Sequence, residues 1–322
     1  GNQLPANPSI SFTLNNCHTI TNLSFAPKEN DGTLLVSFAY DGQPMHSFEP
    51  KLEVFFNNVE TLFPFLPNYL IEINTTNTFP HSSGIASSAS GMAALALCLC
   101  SMEMEIGNTL SKENFYQKAS TAARLGSGSA SRSVYGPMAL WGKSEVYEQS
   151  SDEYAIEFKN VDEIFKTYCD SILIVDEVEK SVSSSVGHSL LKTHPFAEKR
   201  YEVANKNLVL LKNALNTGDL ELFTQIVEQE AMMLHAMMMT SNPHFLLMKP
   251  GTVAIIQKVW EHRKESGLNM AVTLDAGANV HLLYPFGEKN KVLGFINKEL
   301  VKYCADGQVI HDHLGHGPEQ MI

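Results

Sequence analysis

Residues 78–100 read "TFPHSSGIASSASGMAALALCLC", in which turn formers and hydroxyls run straight into an unbroken apolar stretch. A helix start carries unpaired N–H groups and a partial positive charge, so a Gly/Ser loop placed there can wrap a phosphate. Gly84 and Gly91 allow close backbone approach, while Ser82, Ser83, Ser87 and Ser88 supply hydroxyls. The pattern is not the Walker loop, which needs Gly-Lys-Ser/Thr after four free positions. A serine-capped core helix explains the same residues and is the commoner outcome of such a pattern, so both readings stand on the residues alone. The run after Gly91 is apolar on every side, which predicts a helix buried on every side.

The 322-residue chain is 44% hydrophobic and 18% charged, with a net charge of −12. Such a chain is long enough for two domains with their own cores. Its acidic balance argues against a nucleic-acid partner, whose phosphates need a basic face. A small anionic substrate remains compatible with a locally positive pocket. Cys17, Cys98, Cys100, Cys169 and Cys304 are scattered, odd in number and free of CxxC spacing, so structural disulfides and a zinc site are not expected and a cytoplasmic location is. No run approaches the ~20 apolar residues of a membrane helix, and no secretory signal stands at the front.

Outward from the opening stretch, "SISFTL" (9–14), "LLVSFAY" (34–40) and "YLIEIN" (69–74) alternate as strands, and "LEVFFNNVETLF" (52–63) has helical spacing. "KENFYQKASTAARL" (112–125) predicts a helix and "SILIVDEV" (171–178) a protected strand. Two long helices are predicted over 195–216 and 219–240, divided by "NTGD", with Asp219 as N-cap. A further helix over 252–266, strands at "MAVTLDAG" and "HLLYP", a helix near 290–304 and a closing "QVIHDHLGHG" complete the chain. Strands and helices mix without strict alternation. We therefore expect an α+β protein of two domains, 1–175 and 176–322.

Three other stretches could carry chemistry. In "LGSGSASRSVYG" (125–136), Arg132 stands alone among Gly126, Ser127, Gly128, Ser129, Ala130 and Ser131, which leaves its guanidinium room to grip a carboxylate or phosphate with two parallel bonds. A surface arginine after a glycine turn is the plain alternative. In "VTLDAGANV" (272–280), Asp275 lies where an apolar strand yields to a Gly turn, a place suited to proton transfer at a cleft and equally to an aspartate bonding its own backbone. In "EKSVSSSVGH" (179–188), Lys180 with Ser183, Ser184 and Ser185 could receive a second anionic group or form a solvated loop. His235 in "AMMLHAMMMTSNP" reads as one histidine among core methionines. His311, His313 and His316 in "HDHLGHG" lack a defensible ligand set.

In this order, "FPHSSGIASSASGMAALA", "ARLGSGSASRSVYG", "KSVSSSVGH", "MLHAMMMTSNPHF" and "VTLDAGANV" resemble the mevalonate diphosphate decarboxylases of the GHMP kinase superfamily. "LPANPSISFTL" (4–14) is similar to the segment after that family's first strand. The resemblance spans essentially the whole sequence. It implies a two-domain GHMP kinase-like fold with an active-site cleft between the domains, and the ATP- and Mg2+-dependent conversion of mevalonate 5-diphosphate to isopentenyl diphosphate. By motif position it implies Asp275, Arg132 and Ser184 as catalytic residues. Ser127, Gly128 and Ser129 match the turn lining the substrate, with Ser183 and Ser185 beside it. Asn77, Ser82, Ser83, Gly84, Ala86, Ser87 and Ser88 match the ATP phosphate loop. A small-molecule substrate, no nucleic-acid or membrane partner, and a homodimer are also implied.

The sequence departs from the family at several points. His81-Ser82-Ser83 stands where Thr-Ala-Ala is usual, Ala278 replaces a proline, and Ser185 sits where some bacterial members carry an arginine. The family's first strand and its Tyr-Trp-Gly-Lys stretch belong ahead of Gly1, so the sequence is expected to be part of a longer chain. Two alternatives follow: a related enzyme acting on mevalonate or phosphomevalonate, and a binding homologue without turnover.

Overall fold

The computed structural model describes residues 3–29, 32–80, 85–177 and 193–321. In chain order these give β1 (Ser9–Phe12), β2 (Thr19–Pro27), β3 (Leu35–Tyr40), β4 (Gln43–Pro44), α1 (Glu49–Val59), β5 (Tyr69–Asn77), α2 (Ser87–Glu105) and α3 (Lys112–Gly126). They continue with β6 (Met138–Trp141), β7 (Ala155–Glu157), β8 (Cys169–Leu173), α4 (Ala197–Thr217), α5 (Leu220–Thr240), α6 (Pro250–Ser266), β9 (Ala271–Thr273), β10 (Val280–Tyr284), α7 (Lys289–Phe295) and β11 (Val309–His313). The strands form three sheets, ordered β2-β5-β3-β4, β1-β6-β7 and β11-β8-β10-β9.

The first sheet is mixed. β2 and β5 pair antiparallel along their full lengths, whereas β3 lies parallel to β5. β5 turns Ile71 and Ile73 inward and leaves Leu70 and Glu72 outward, the period-2 alternation of a half-buried strand. The inward face meets α1 and α2 in a core of Leu52, Phe55, Phe56, Phe63, Ala96 and Leu99. By length and composition α2 could cross a membrane. Here Ala89, Ala93, Leu95, Ala96 and Leu99 are buried, and the helix is locked to α3 by the Glu103–Lys118 pair at 2.6 Å. The Lys118 ammonium also lies 4.7 Å from the centre of the Phe63 ring.

The helical hairpin α4–α5 forms as its signals predict. Gly218 takes the left-handed conformation that closes α4, and the Asp219 carboxylate accepts the Leu222 N–H at 3.0 Å to open α5. β8 precedes residue 176, where the second domain is expected to begin. It nonetheless pairs in register with β10 on one side and β11 on the other. A further core joins Met138, Leu140 and Phe158 to Leu208, Leu215, Phe223, Leu283 and Leu314, so apolar packing runs across the expected boundary.

The two ends of the sequence are tied together. Leu14 and Leu314 form an antiparallel bridge, and Gly136 and Gly317 touch so closely that a Cβ on Gly136 would lie 2.3 Å from the Gly317 Cα. Between these contacts the Asp312 carboxylate accepts three successive N–H groups, from Asn15 (3.1 Å), Asn16 (2.8 Å) and Cys17 (2.7 Å), and its side chain is 0% exposed. Burial, followed by Asp312, pushes the Cys17 thiol up to about 12, so it stays protonated and inert at neutral pH. Replacing Asp312 with alanine orphans those donors. Each buried unsatisfied group costs roughly 1–3 kcal/mol, so Asp312→Ala should lower the unfolding free energy by at least that much in a denaturant titration.

Candidate active site

Arg132 is held by a short chain of buried polar contacts. α3 ends at Gly126 and, after the extended Ser127, residues Gly128–Val134 wind into a 3-10 turn. Ser120 of α3, fully buried, donates to the Ser131 carbonyl at 2.8 Å and accepts the Ala155 N–H of β7 at 2.8 Å. Ser131 closes the turn onto the Gly128 carbonyl at 3.0 Å, and the Gly128 N–H is capped by Gln3 at 2.7 Å. Small residues are required here: a Cβ at Gly128 would sit 3.2 Å from both the Gln3 carbonyl and Trp141. The guanidinium that emerges donates through Nη1 to the Ser9 hydroxyl of β1 and lies 6.0 Å from the Trp141 ring of β6. Its Nε is buried and has no hydrogen-bond partner among the described residues.

Asp275 follows β9 and Leu274. Its carbonyl accepts the Gly277 N–H at 2.7 Å, tightening the bend, and also contacts His235 Nε2 of α5 at 3.1 Å. A carbonyl can only accept, so the His235 tautomer in this contact carries its proton on Nε2. Beyond the bend, Thr252 donates to the Ala278 carbonyl at 2.6 Å. Asn279 accepts the N–H groups of Val175 and Asp176 at 2.8 and 3.0 Å. Ala278, which departs from the family's proline, therefore keeps a fixed backbone. Burial pulls the Arg132 guanidinium below its ordinary value and the Asp275 carboxylate pulls it back up, so the two charges lie within electrostatic reach of each other.

The stretch from residue 78 supplies a third component. α2 has no serine cap. Its N-cap position is Ala86, in the left-handed conformation at φ 56°, with no side-chain hydrogen bond to the first turn. A non-glycine residue is uncommon in that conformation. Ser87 and Ser88 begin the helix and line a hollow together with Asn77, Gly91, Phe38 and Tyr40. Asn77, at the end of β5, accepts from the Thr19 hydroxyl at 2.7 Å, and that hydroxyl is 2.6 Å from Ser90 in the first turn of α2. Burial, then the neighbouring Asp41, raises the Tyr40 phenol, whose Asn77 partner opposes them. The hollow thus has an apolar flank and a polar helix-end rim.

Of the expected site residues, Arg132 and Asp275 are brought together, Ser127, Gly128 and Ser129 lie in the turn carrying Arg132, and Asn77, Ala86, Ser87 and Ser88 gather at the hollow. Ser82, Ser83, Gly84, Ser183, Ser184 and Ser185 lie outside the described residues. The C-terminal histidines act structurally where contacts are seen: His311 Nδ1 is 2.8 Å from the Ser171 hydroxyl, itself 2.7 Å from Tyr284. No group of three His, Cys, Asp or Glu side chains suited to a metal occurs among the described residues. The residue patterns did not single out Ser9, Trp141, Gln3, Thr19 or Tyr40, because each contributes by tertiary approach rather than by local spacing. His235, set aside as a lone histidine among core methionines, is the one with a legible cue: a polar ring within the methionine-rich end of a helix.

These features define a GHMP kinase-like protein, α+β in two domains. Residues 1–154 match the diphosphomevalonate decarboxylase-like N-terminal domain and residues 171–320 match the mevalonate 5-diphosphate decarboxylase C-terminal domain. The diphosphomevalonate decarboxylase of Saccharomyces cerevisiae is 28% identical over 92% of this chain and 75% of its own. The crystal structure of mevalonate diphosphate decarboxylase from Staphylococcus aureus superposes with a TM-score of 0.82 at 28% identity, covering 98% of this chain and 89% of its own. That of MDDEF in complex with MVAPP, AMPPCP and magnesium gives a TM-score of 0.81 at 27% identity, covering 98% of this chain and 90% of its own. The chain belongs to the mevalonate diphosphate decarboxylase family.

The buried histidine makes a pH prediction. Burial lowers the affinity of His235 for a proton in the folded state, against a partial opposing effect of Asp275. Below the unfolded value of about 6.5 the unfolded chain gains a proton that the folded chain refuses, so stability falls as pH drops from there until the lower folded value is passed. Denaturant midpoints measured between pH 7 and 5 should fall less steeply in His235→Gln than in the parent protein.

Proposed function

We propose that this protein converts mevalonate 5-diphosphate and ATP to isopentenyl diphosphate, ADP, phosphate and carbon dioxide. The observation that carries the reading is the buried Arg132 guanidinium, held by Ser9 with its Nε unpartnered among the described residues and within electrostatic reach of Asp275, in a chain that also offers the hollow at the start of α2. A tertiary alcohol is a poor nucleophile, and a carboxylate within reach of its proton makes phosphorylation of that oxygen easier. Asp275 is assigned that proton. Phosphoryl transfer needs positioning and charge neutralisation more than covalent help. Ser87, Ser88 and the N–H groups opening α2 would face the nucleotide phosphates, and Phe38 and Tyr40 would flank its base.

After transfer, the carbon–oxygen bond at C3 breaks and phosphate departs with its electron pair. The bond to the carboxylate carbon then supplies the electrons of the new double bond, and carbon dioxide is released. Arg132 is suited to hold that carboxylate. Its guanidinium is fixed by Ser9 and Trp141, and its Nε is buried with no hydrogen-bond partner among the described residues. Keeping the leaving carboxylate aligned with the breaking C3–O bond is a geometric task, which a pre-set guanidinium performs without reorganising.

Magnesium fits this arrangement through the nucleotide. The described residues gather no protein cage for a cation, and Mg2+ is usually held by one or two carboxylates together with substrate phosphates and water. When bound, it would neutralise charge on the nucleotide phosphates.

The direct test is incubation with ATP, magnesium and mevalonate 5-diphosphate. Equal amounts of ADP and isopentenyl diphosphate are expected; ADP without isopentenyl diphosphate would refute decarboxylation. Asp275→Asn keeps the shape and removes the base, and should lower kcat by about 10²–10⁴-fold while nucleotide binding persists.

A further inference from the structure

We propose that His235 is a positioning residue for the reaction: its Nε2–H, donated to the Asp275 backbone carbonyl, fixes the bend that aims the Asp275 carboxylate into the crevice. This rests on the decarboxylase reading and deepens it. Three observations support it. His235 is 1% exposed and lies in the C-terminal half of the 21-residue α5, a rigid element rather than a loop. Its single described hydrogen bond, 3.1 Å long, reaches forty residues along the chain to the one backbone carbonyl that belongs to Asp275. The Gly277 contact at 2.7 Å is internal to the turn and cannot orient it against the rest of the protein, which the bond to α5 does.

The surroundings explain why this bond matters. β9 lies against α5, and its exit at Leu274 is apolar and buried, but the next two residues leave the sheet. A bend of this kind can tilt about its strand. Tilting moves a carboxylate at its tip by far more than it moves the strand. On the far side of the bend, Asn279 and Thr252 clamp residues 278 and 279, so the bend is pinned downstream by those two side chains and upstream by β9. His235 ties the Asp275 backbone itself to α5 from outside the turn. The histidine does not touch the reacting atoms; it acts through Asp275.

The expected signature is a fall in kcat with little change in substrate affinity. Arg132 and the α2 hollow hold the substrate and nucleotide independently of this bond, whereas displacement of a reacting group by about 1 Å can cost on the order of 100-fold in rate. His235→Leu fills the space without a donor. His235→Gln places an amide N–H near the Nε2 position, and His235→Asn is equally polar but too short to reach. In steady-state assays with ATP, magnesium and mevalonate 5-diphosphate, Leu and Asn should lower kcat by about 10- to 100-fold with both KM values held within about twofold. Gln should recover most of kcat. Should the leucine variant fail to fold, the Asn/Gln pair decides the matter, since the two differ chiefly in reach.

Four results would overturn the inference: unchanged kcat in the Asn variant, a loss carried by KM instead of kcat, equal losses in Asn and Gln, or losses that track a drop in Tm. An inactive parent protein would instead refute the decarboxylase reading, so the two failures are distinguishable.

Discussion

A single carboxylate, that of Asp312, receives three consecutive backbone N–H groups from the turn between β1 and β2. Such a buried anion is tolerable only because its charge is met by several aligned donors, and the donors in turn need it. The turn it grips leads directly into Thr19, whose hydroxyl joins Asn77 to Ser90 at the head of α2. The strand before that turn carries Ser9, the partner of Arg132. One ion therefore sets β11 against both the segment that leads to the hollow at the head of α2 and the segment that carries the partner of Arg132. Nothing in the apolar cores could do this, because hydrophobic packing is non-directional.

The site is built from pieces that are individually ordinary. Arg132 is aimed by serines and glycines that contribute little bulk, and Asp275 by a bend between a short strand and a glycine. Function comes from convergence. The guanidinium is burdened by desolvation and relieved by the carboxylate, which favours its charged form. An anionic substrate entering between them would meet one group suited to hold it and one suited to take a proton from it.

Much of the architecture could be read before any coordinates. The long periodic helices, the Asp219 cap and the strands at β1, β3, β5, β8 and β10 all carry their period in the sequence. β2, β6 and β7 were missed, because "TITNLSFAP" interrupts its alternation with polar residues and the other two are short. Arg132 and Asp275 were legible because small residues around a lone charge leave a visible mark. The start of α2 was read ambiguously, and its cap position proved to be a left-handed alanine where a serine was one of two options. Ser9, Trp141 and Tyr40 left no local trace. Their roles depend on which strands become neighbours, which short-range spacing does not encode.

The grip of Asp312 on the turn after β1 has a consequence for the order of folding. Asn15 and Asp312 lie 297 residues apart in sequence, and the Leu14–Leu314 bridge spans a similar separation. Contacts of such sequence separation are slow to form and carry a loop-closure cost. The helical hairpin α4–α5, whose contacts are local, is therefore expected to form before β11 is seated against residues 14–17.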